Sequence, residues 1–131
     1  MWRIIFAIPL IMHGLANMAG VFAPWVKGTL GFLDAPWVLS AQFTLKSWLG
    51  KGFSLVWLVS SVCLIAAGIG MIAHEPWWGP AAIIGCACSL VAILVWFKAT
   101  PPGAKVGAVF DVVVLILLLT PLKERLVDLI K

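Results

Sequence analysis

The sequence predicts an all-α integral membrane protein, a bundle of four membrane-spanning helices with a short interfacial helix between helices 1 and 2. Hydrophobic residues make up 63% of the 131 residues and charged residues only 11%, whereas a soluble domain has roughly 25% charged residues. Four charge-poor stretches approach the roughly 20 apolar residues that a helix needs to cross a bilayer. None of them alternates with the period of two that a membrane β-strand requires. The length fits one domain, residues 1–131.

The first predicted helix covers residues 2–23. It carries Arg3 in its first turn and no charge from Ile4 to Val26, and it is closed by Pro24. A basic residue before an apolar run is also typical of a signal peptide, but no clear small-residue cleavage site follows. We therefore predict an uncleaved first transmembrane helix.

Residues 24–52 are too polar to span a membrane and too apolar for a solvated loop. Asp34 is a suitable N-cap for a short helix with Pro36 in its first turn. Apolar residues then recur at three- and four-residue spacing, at Val38, Ala41, Leu45 and Trp48. This pattern predicts a helix that lies in the membrane interface, with Lys46 and Lys51 reaching water. A segment that docks on a partner protein is the alternative interpretation.

The remaining three spans are predicted at residues 53–73, 79–97 and 106–122. The turn at residues 74–78 is short, so helices 2 and 3 are expected to be antiparallel neighbours. The final residues, 123–131, form a second amphipathic stretch that is predicted to extend helix 4.

Four spans place both termini on the same side of the cell (inner) membrane. Lysine and arginine are almost evenly divided between the two sides, and the position of Arg3 beside the first span favours cytoplasmic termini. The net charge of +4 is typical of loops that face anionic lipid head groups. The predicted partners are the lipid bilayer and other membrane subunits, not nucleic acid.

Three polar side chains are predicted at membrane depth, where a polar group is costly and therefore a functional candidate. His13 lies near the middle of helix 1, and Asn17 follows one turn later on the same face. Asp111 lies in helix 4, which runs antiparallel to helix 1, at a comparable depth. We therefore expect His13, Asn17 and Asp111 to form a cluster inside the bundle.

This cluster has a functional and a structural interpretation. Asp111 can hydrogen-bond one imidazole nitrogen and leave the other free for a quinone, a pigment metal or a substrate. Alternatively the three residues form an interhelical clasp, an interaction worth about 0.6 kcal/mol on average. Lys98, near the same surface, is a candidate to neutralise Asp111.

Helices 2 and 3 are predicted to be scaffold, so that helices 1 and 4 hold every buried polar group. The small-residue rows Ala66–Gly70 and Gly85–Ser89 indicate close helix packing. Three cysteines lie in apolar runs without a CxxC motif and are interpreted as packing residues, at Cys63, Cys86 and Cys88. One deep histidine does not make a metal site, and no catalytic motif of a common enzyme class is present, so the sequence leans away from an enzyme.

The run Met12-His13-Gly14-Leu15 resembles the DoxX-like group of small four-helix membrane proteins, in particular an uncharacterised branch of it. Further matching positions are Gly52, Trp57-Leu58, Trp77-Trp78, Ser89, Trp96 and Gly107. Two positions depart from the pattern of that branch. Asn17 stands where a second histidine is frequent, and Asp111 stands where asparagine is commoner.

The resemblance implies a link to quinones, because DoxX itself is similar to a subunit of a quinone-linked sulfur oxidoreductase. Three functions remain open at this point, and the sequence favours the first. The first is an accessory or structural subunit of a larger respiratory or photosynthetic complex, and thus of electron transport. The second is a quinone- or pigment-binding module that uses His13. The third is a redox enzyme or transporter with a proton relay through His13 and Asp111.

Overall fold

The computed structural model describes residues 1–130, which contain five α-helices and no extended strand. The helices are α1 (Trp2–Phe22), α2 (Trp48–Ile72), α3 (Trp78–Val95), α4 (Pro102–Leu119) and α5 (Leu122–Ile130). The first four are long and apolar enough to cross a membrane. The predicted four-helix membrane bundle is confirmed, and the chain is a multi-pass membrane protein.

Small residues determine how closely the helices pack, with α1 on α2, α2 on α3 and α3 on α4. A Cβ atom added at Gly68 of α2 would lie 2.4 Å from Cγ1 of Ile11 in α1. One added at Gly85 of α3 would lie 2.7 Å from Cγ of Leu64 in α2. Because these glycines have no side chain, neighbouring backbones approach closely, as is common between membrane helices. The predicted packing role of the two small-residue rows is borne out at Gly68 and Gly85.

Two spans begin earlier than the sequence predicted. Helix α2 begins at Trp48 and not at residue 53, since Ser47 is its N-cap and accepts a hydrogen bond from the Gly50 amide. Helix α4 begins at Pro102 and not at residue 106, because proline is favoured in the first turn of a helix. The expected boundaries followed the charges of Lys51 and Lys105, but a long lysine side chain reaches the interface from within a first turn.

The predicted interfacial helix between α1 and α2 is wrong. Residues 24–47 contain no helix, and a single antiparallel bridge joins Pro36 to Thr44. The segment instead forms backbone hydrogen bonds with the C-terminal end of α3 and with the loop that follows α3. The Leu33 amide donates to the carbonyl of Ala99 at 2.8 Å, and the Val38 amide donates to the carbonyl of Val95 at 3.0 Å.

The apolar residues of this segment serve a different purpose from the one their spacing suggested. Phe32 and Leu45 are 5% and 2% exposed, and they pack in one cluster with Trp57 and Trp96 at this end of the bundle. Leu30 and Gly31 both have a positive φ, at 48° and 85°, which turns the chain back across the helix ends. The segment is therefore an irregular cap on the bundle.

The last predicted element also differs, because α5 is a separate helix and not an extension of α4. Thr120 has an extended backbone, and the next residue, Pro121, cannot continue a helix.

The Arg3 side chain donates from Nε to the carbonyl of Ile130 and at 3.3 Å to the carbonyl of Met71. The first and last described turns therefore lie at the same end of the bundle, while Lys131 lies outside the described residues.

Candidate functional site

The centre of the bundle holds a hydrogen-bonded pair between α1 and α4. Nε2 of His13 lies 2.9 Å from Oδ1 of Asp111, and the two side chains are 11% and 0% exposed. Gly107 lies one turn before Asp111 on the same face of α4. A Cβ atom at Gly107 would lie 2.5 Å from Cε1 of His13, so the imidazole rests against α4 where that helix has no side chain.

Two further residues position the His13 ring. The ring of Phe110 in α4 meets it edge-on, with 5.2 Å between centroids. Oγ of Ser89 in α3 lies 3.2 Å from Nε2. Three helices therefore converge on one imidazole, and only one of its nitrogens takes part in these contacts.

The other nitrogen, Nδ1, forms no hydrogen bond with any of residues 1–130. With Asp111 ionised, its carboxylate can only accept hydrogen bonds, and Nε2 of His13 is then the donor of the 2.9 Å contact. Nδ1 is then an acceptor when the imidazole is neutral and a donor when it is protonated. Oδ2 of Asp111 is buried and has no hydrogen-bond partner among the described residues.

Asn17 does not join this pair. Its Nδ2 donates to Oγ of Ser60 at 2.8 Å, and the Ser60 hydroxyl donates to the carbonyl of Gly85 at 2.8 Å. Because the hydroxyl proton points at Gly85, the Ser60 oxygen must accept from the amide, which determines the orientation of the Asn17 side chain. Of the three predicted residues, the structure thus brings His13 and Asp111 together and bonds Asn17 to α2.

His13 and Asn17 nevertheless line the same cavity of about 190 Å³. Its other walls are Trp57 of α2, Phe32 of the capping segment, and residues at the start of α4. Nε1 of Trp57 is buried without a hydrogen-bond partner among residues 1–130. The cavity therefore combines mostly apolar walls with two polar side chains from α1, which is the usual composition of a small-molecule site.

A second cavity, of about 270 Å³, lies on the other side of the contact between His13 and Phe110, towards the termini. It is lined by apolar side chains of four helices, including Leu10 of α1, Trp78 of α3, Phe110 of α4 and Leu126 of α5. Both cavities separate α1 from α4. We call this region, with His13 and Phe110 at its middle, the α1–α4 seam.

The expectation that helices 1 and 4 hold every buried polar group is wrong. Ser60, Ser61 and Ser89 in α2 and α3 are 0% exposed. Ser60 holds Asn17, Ser61 donates to the carbonyl of Gly14, and Ser89 contacts His13. Sequence reasoning missed them because a serine adds little polarity to a long apolar run. Serine is, however, a residue that hydrogen-bonds across membrane helices, and that was the available signal.

The remaining candidates have other surroundings. No ion pair joins Lys98 to Asp111 within the described chain, since Nζ is not among the contacts of that carboxylate. The buried thiol of Cys86 lies beside the Asp111 carboxyl group instead. Within residues 1–130, no three His, Cys, Asp or Glu side chains are grouped so that they could hold a metal ion.

Comparisons with protein-family models, with curated proteins and with solved structures found no match. The fold and the site define a small multi-pass membrane protein with a histidine–aspartate pair between α1 and α4, in which the aspartate is fully buried.

Proposed function

We propose that this chain is a membrane-embedded binding module for a lipid-soluble ligand of the quinone class, with His13 as the contact residue. The observation that carries the proposal is the asymmetry of the imidazole. Nε2 is held by Asp111 at 2.9 Å, while Nδ1 has no partner among residues 1–130 and His13 lines a cavity. A fixed imidazole that has an unused nitrogen and belongs to a residue lining free volume suits a bound ligand.

A quinone-class ligand suits both protonation states of this nitrogen. A protonated imidazole donates from Nδ1 to a quinone carbonyl, and a neutral imidazole accepts at Nδ1 from a quinol hydroxyl. In both states Nε2–H remains on Asp111, which keeps the ring in place. The pair can therefore bind either redox form of the ligand without a change of side-chain geometry.

The cavity has a suitable size and position for such a ligand. An engineered protein cavity of about 150 Å³ binds benzene, so about 190 Å³ accommodates one six-membered ring. The larger apolar cavity beyond Phe110 continues along the same seam and offers room for part of an apolar tail. Since α1 and α4 border the seam, a ligand would arrive from the bilayer and not from water.

Membership of the DoxX-like group is part of this proposal. The resemblance includes His13, which lines the cavity, and Gly107, which gives the imidazole its space. The quinone link of DoxX itself supports the ligand class. A pigment whose metal binds Nδ1 is the related possibility, and the optical spectrum of the purified chain distinguishes the two, because a pigment absorbs visible light.

The test is a titration of the full chain in lipid nanodiscs with a short-tailed benzoquinone and with its hydroquinone. We expect His13→Ala to weaken binding of both by roughly 10-fold, the value of one hydrogen bond. Gly107→Ala should also weaken binding, since the new methyl group displaces the imidazole. The matched control is Gly52→Ala, where a Cβ atom meets nothing within 4 Å. Equal affinity of the parent and His13→Ala would refute the proposal.

A second function is supported by the low burial of α4 within the bundle. Of the 18 residues of α4, only Gly107, Asp111 and Leu118 are buried, which is the smallest buried share of the four spans. We propose, as the alternative, that the chain is an accessory subunit whose α4 packs against a larger respiratory or photosynthetic complex. Purification from native membranes in mild detergent should then retain a stoichiometric partner. Substituting Val109 with Trp on the exposed face should release it, and an unchanged complex would count against α4 as the contact.

A further inference from the structure

A groove of about 540 Å³ lies at the end of the bundle opposite the chain termini, between the end of α1 and the first turns of α2. Trp25 and Trp48 form part of its walls and are 61% and 72% exposed. Large exposed indoles at the end of a membrane span are typical of head-group depth. The groove therefore lies where a protein meets the polar part of a lipid.

The indole of Trp25 is fixed in spite of its exposure. Its Nε1 donates to Oγ of Ser54 at 2.8 Å, and Ser54 is only 6% exposed. Nζ of Lys51 lies 5.3 Å from the centre of the same ring, a cation–π contact. The wall of the groove is thus held in place before any ligand arrives.

One stripe of α2 runs along the groove from its polar end to its apolar end. Lys51, Leu55 and Leu58 are spaced by four and three residues, so they share a face of the helix. All three line the groove. The stripe carries an ammonium group near the first turn of α2 and apolar side chains at greater membrane depth, which is the order of groups along a phospholipid.

Charge indicates which phospholipid fits. This end of the bundle carries five lysines, at positions 27, 46, 51, 98 and 105, and one acidic residue, Asp34. Nζ of Lys46 is already bonded to the carbonyls of residues 26–28. Lys51 forms no ion pair within residues 1–130, so its positive charge remains available to an anion.

We infer that this groove binds one anionic phospholipid, with its phosphate at Lys51 and an acyl chain along Leu55 and Leu58. Trp25 and Trp48 enclose the glycerol region between these two parts. The site is separate from the α1–α4 seam and does not depend on a ligand at His13.

The inference is tested with the full chain in nanodiscs of phosphatidylcholine alone and of phosphatidylcholine with phosphatidylglycerol. Lipid that stays bound after transfer to detergent is counted by native mass spectrometry. We expect the parent to retain one phosphatidylglycerol in preference to phosphatidylcholine, and Lys51→Gln to lower that preference about five-fold. Lys51→Arg, which keeps the charge, should preserve it.

Lys105→Gln is the matched control, because Nζ of Lys105 lies over the ring of Phe97 at 4.4 Å, the same kind of contact outside the groove. It should leave lipid retention unchanged. Equal retention of both lipids by the parent would overturn the inference, as would equal retention by the parent and Lys51→Gln. An equal loss in Lys51→Gln and Lys105→Gln would show general surface charge and not a groove, and would also overturn it.

Discussion

The interface of α1, α2 and α3 and the α1–α4 seam are built in opposite ways. In the three-helix interface, glycines allow backbones to approach and serine hydroxyls donate to backbone carbonyls, as Ser61 does to Gly14 and Ser60 to Gly85. In the seam, the helices are kept apart by two cavities and are joined by one side-chain pair, His13 and Asp111.

Because of this difference, we assign the stability of the fold and the binding of a ligand to different regions of the chain. Lipid tails are as apolar as leucine, so close packing and hydrogen bonds, not hydrophobic burial, hold membrane helices together. The three-helix interface supplies both. The seam lacks close packing away from the contacts of His13 with Gly107 and Phe110, and its polar pair leaves Nδ1 of His13 without a partner in the described chain. We therefore expect substitutions in the first region to change stability and substitutions in the second to change ligand binding.

The largest expected effect is on stability, from Gly20→Ala in the three-helix interface. A Cβ atom at Gly20 would lie 2.3 Å from Cδ2 of Trp57, and Trp57 is 1% exposed, so the ring can shift only into the cavity that it lines. Overpacking of this kind costs about 1–3 kcal/mol, and we expect a loss near 3 kcal/mol in the free energy of unfolding.

The measurement is unfolding in detergent followed by circular dichroism. Gly103→Ala in the seam is the matched control, because a Cβ atom there meets nothing within 4 Å, and alanine favours a helix more than glycine does. Its stability should be equal to or above that of the parent. If both variants lost the same stability, the proposed difference between the two regions would be wrong.

The next effect is on binding, from Asp111→Asn in the seam. Asparagine has nearly the same shape and can still accept from Nε2 of His13, so the fold should be retained. It lacks the negative charge, and a hydrogen bond to a charged group is worth about 1.5–3 kcal/mol. We expect the affinity for the benzoquinone probe to fall roughly 10-fold or more.

The same variant sharpens the choice between a binding module and a proton relay. A relay through His13 and Asp111 requires a carboxyl group that exchanges protons, so Asp111→Asn would abolish turnover even at saturating ligand. A binding module loses affinity, and added ligand restores occupancy. Unchanged affinity and unchanged turnover together would assign Asp111 to a purely structural clasp.

Much of the fold followed from apolar length alone. The four spans were predictable because a bilayer demands charge-poor helices of fixed length, and the first span ends within one residue of its predicted position. Residues 24–47 were not predictable in the same way. Helical spacing of apolar residues cannot reveal that Leu33 and Val38 bond to the end of α3, because that depends on contacts between distant parts of the chain.

The site was predictable in part for a similar reason. His13 and Asp111 are costly at membrane depth, so each must find a partner, and antiparallel helices place them at one level. Asn17 is also polar and on the same face, yet its partner is Ser60. Side-chain reach and the rotation of α2 decide between the two possible partners, and neither can be read from positions along one helix.

The smallest expected effect is that of Ser61→Ala, and it should differ from the effect of Ser60→Ala, the adjacent position in α2. The Ser61 hydroxyl donates to the carbonyl of Gly14, and this carbonyl already belongs to the backbone of helix α1. Ser61→Ala therefore removes one donor and leaves no buried polar group without a partner. Its cost should be near 0.6 kcal/mol, the average for such bonds in membranes. Ser60→Ala leaves the amide of Asn17 without its acceptor, and a buried unsatisfied group costs about 1–3 kcal/mol.

The free energies of unfolding of the two variants in detergent should therefore differ. Asn17→Leu combined with Ser60→Ala should recover much of the larger loss. If instead the two single variants are equally stable, the hydrogen bond from Asn17 to Ser60 contributes nothing, and Asn17 is then free to serve the cavity beside His13.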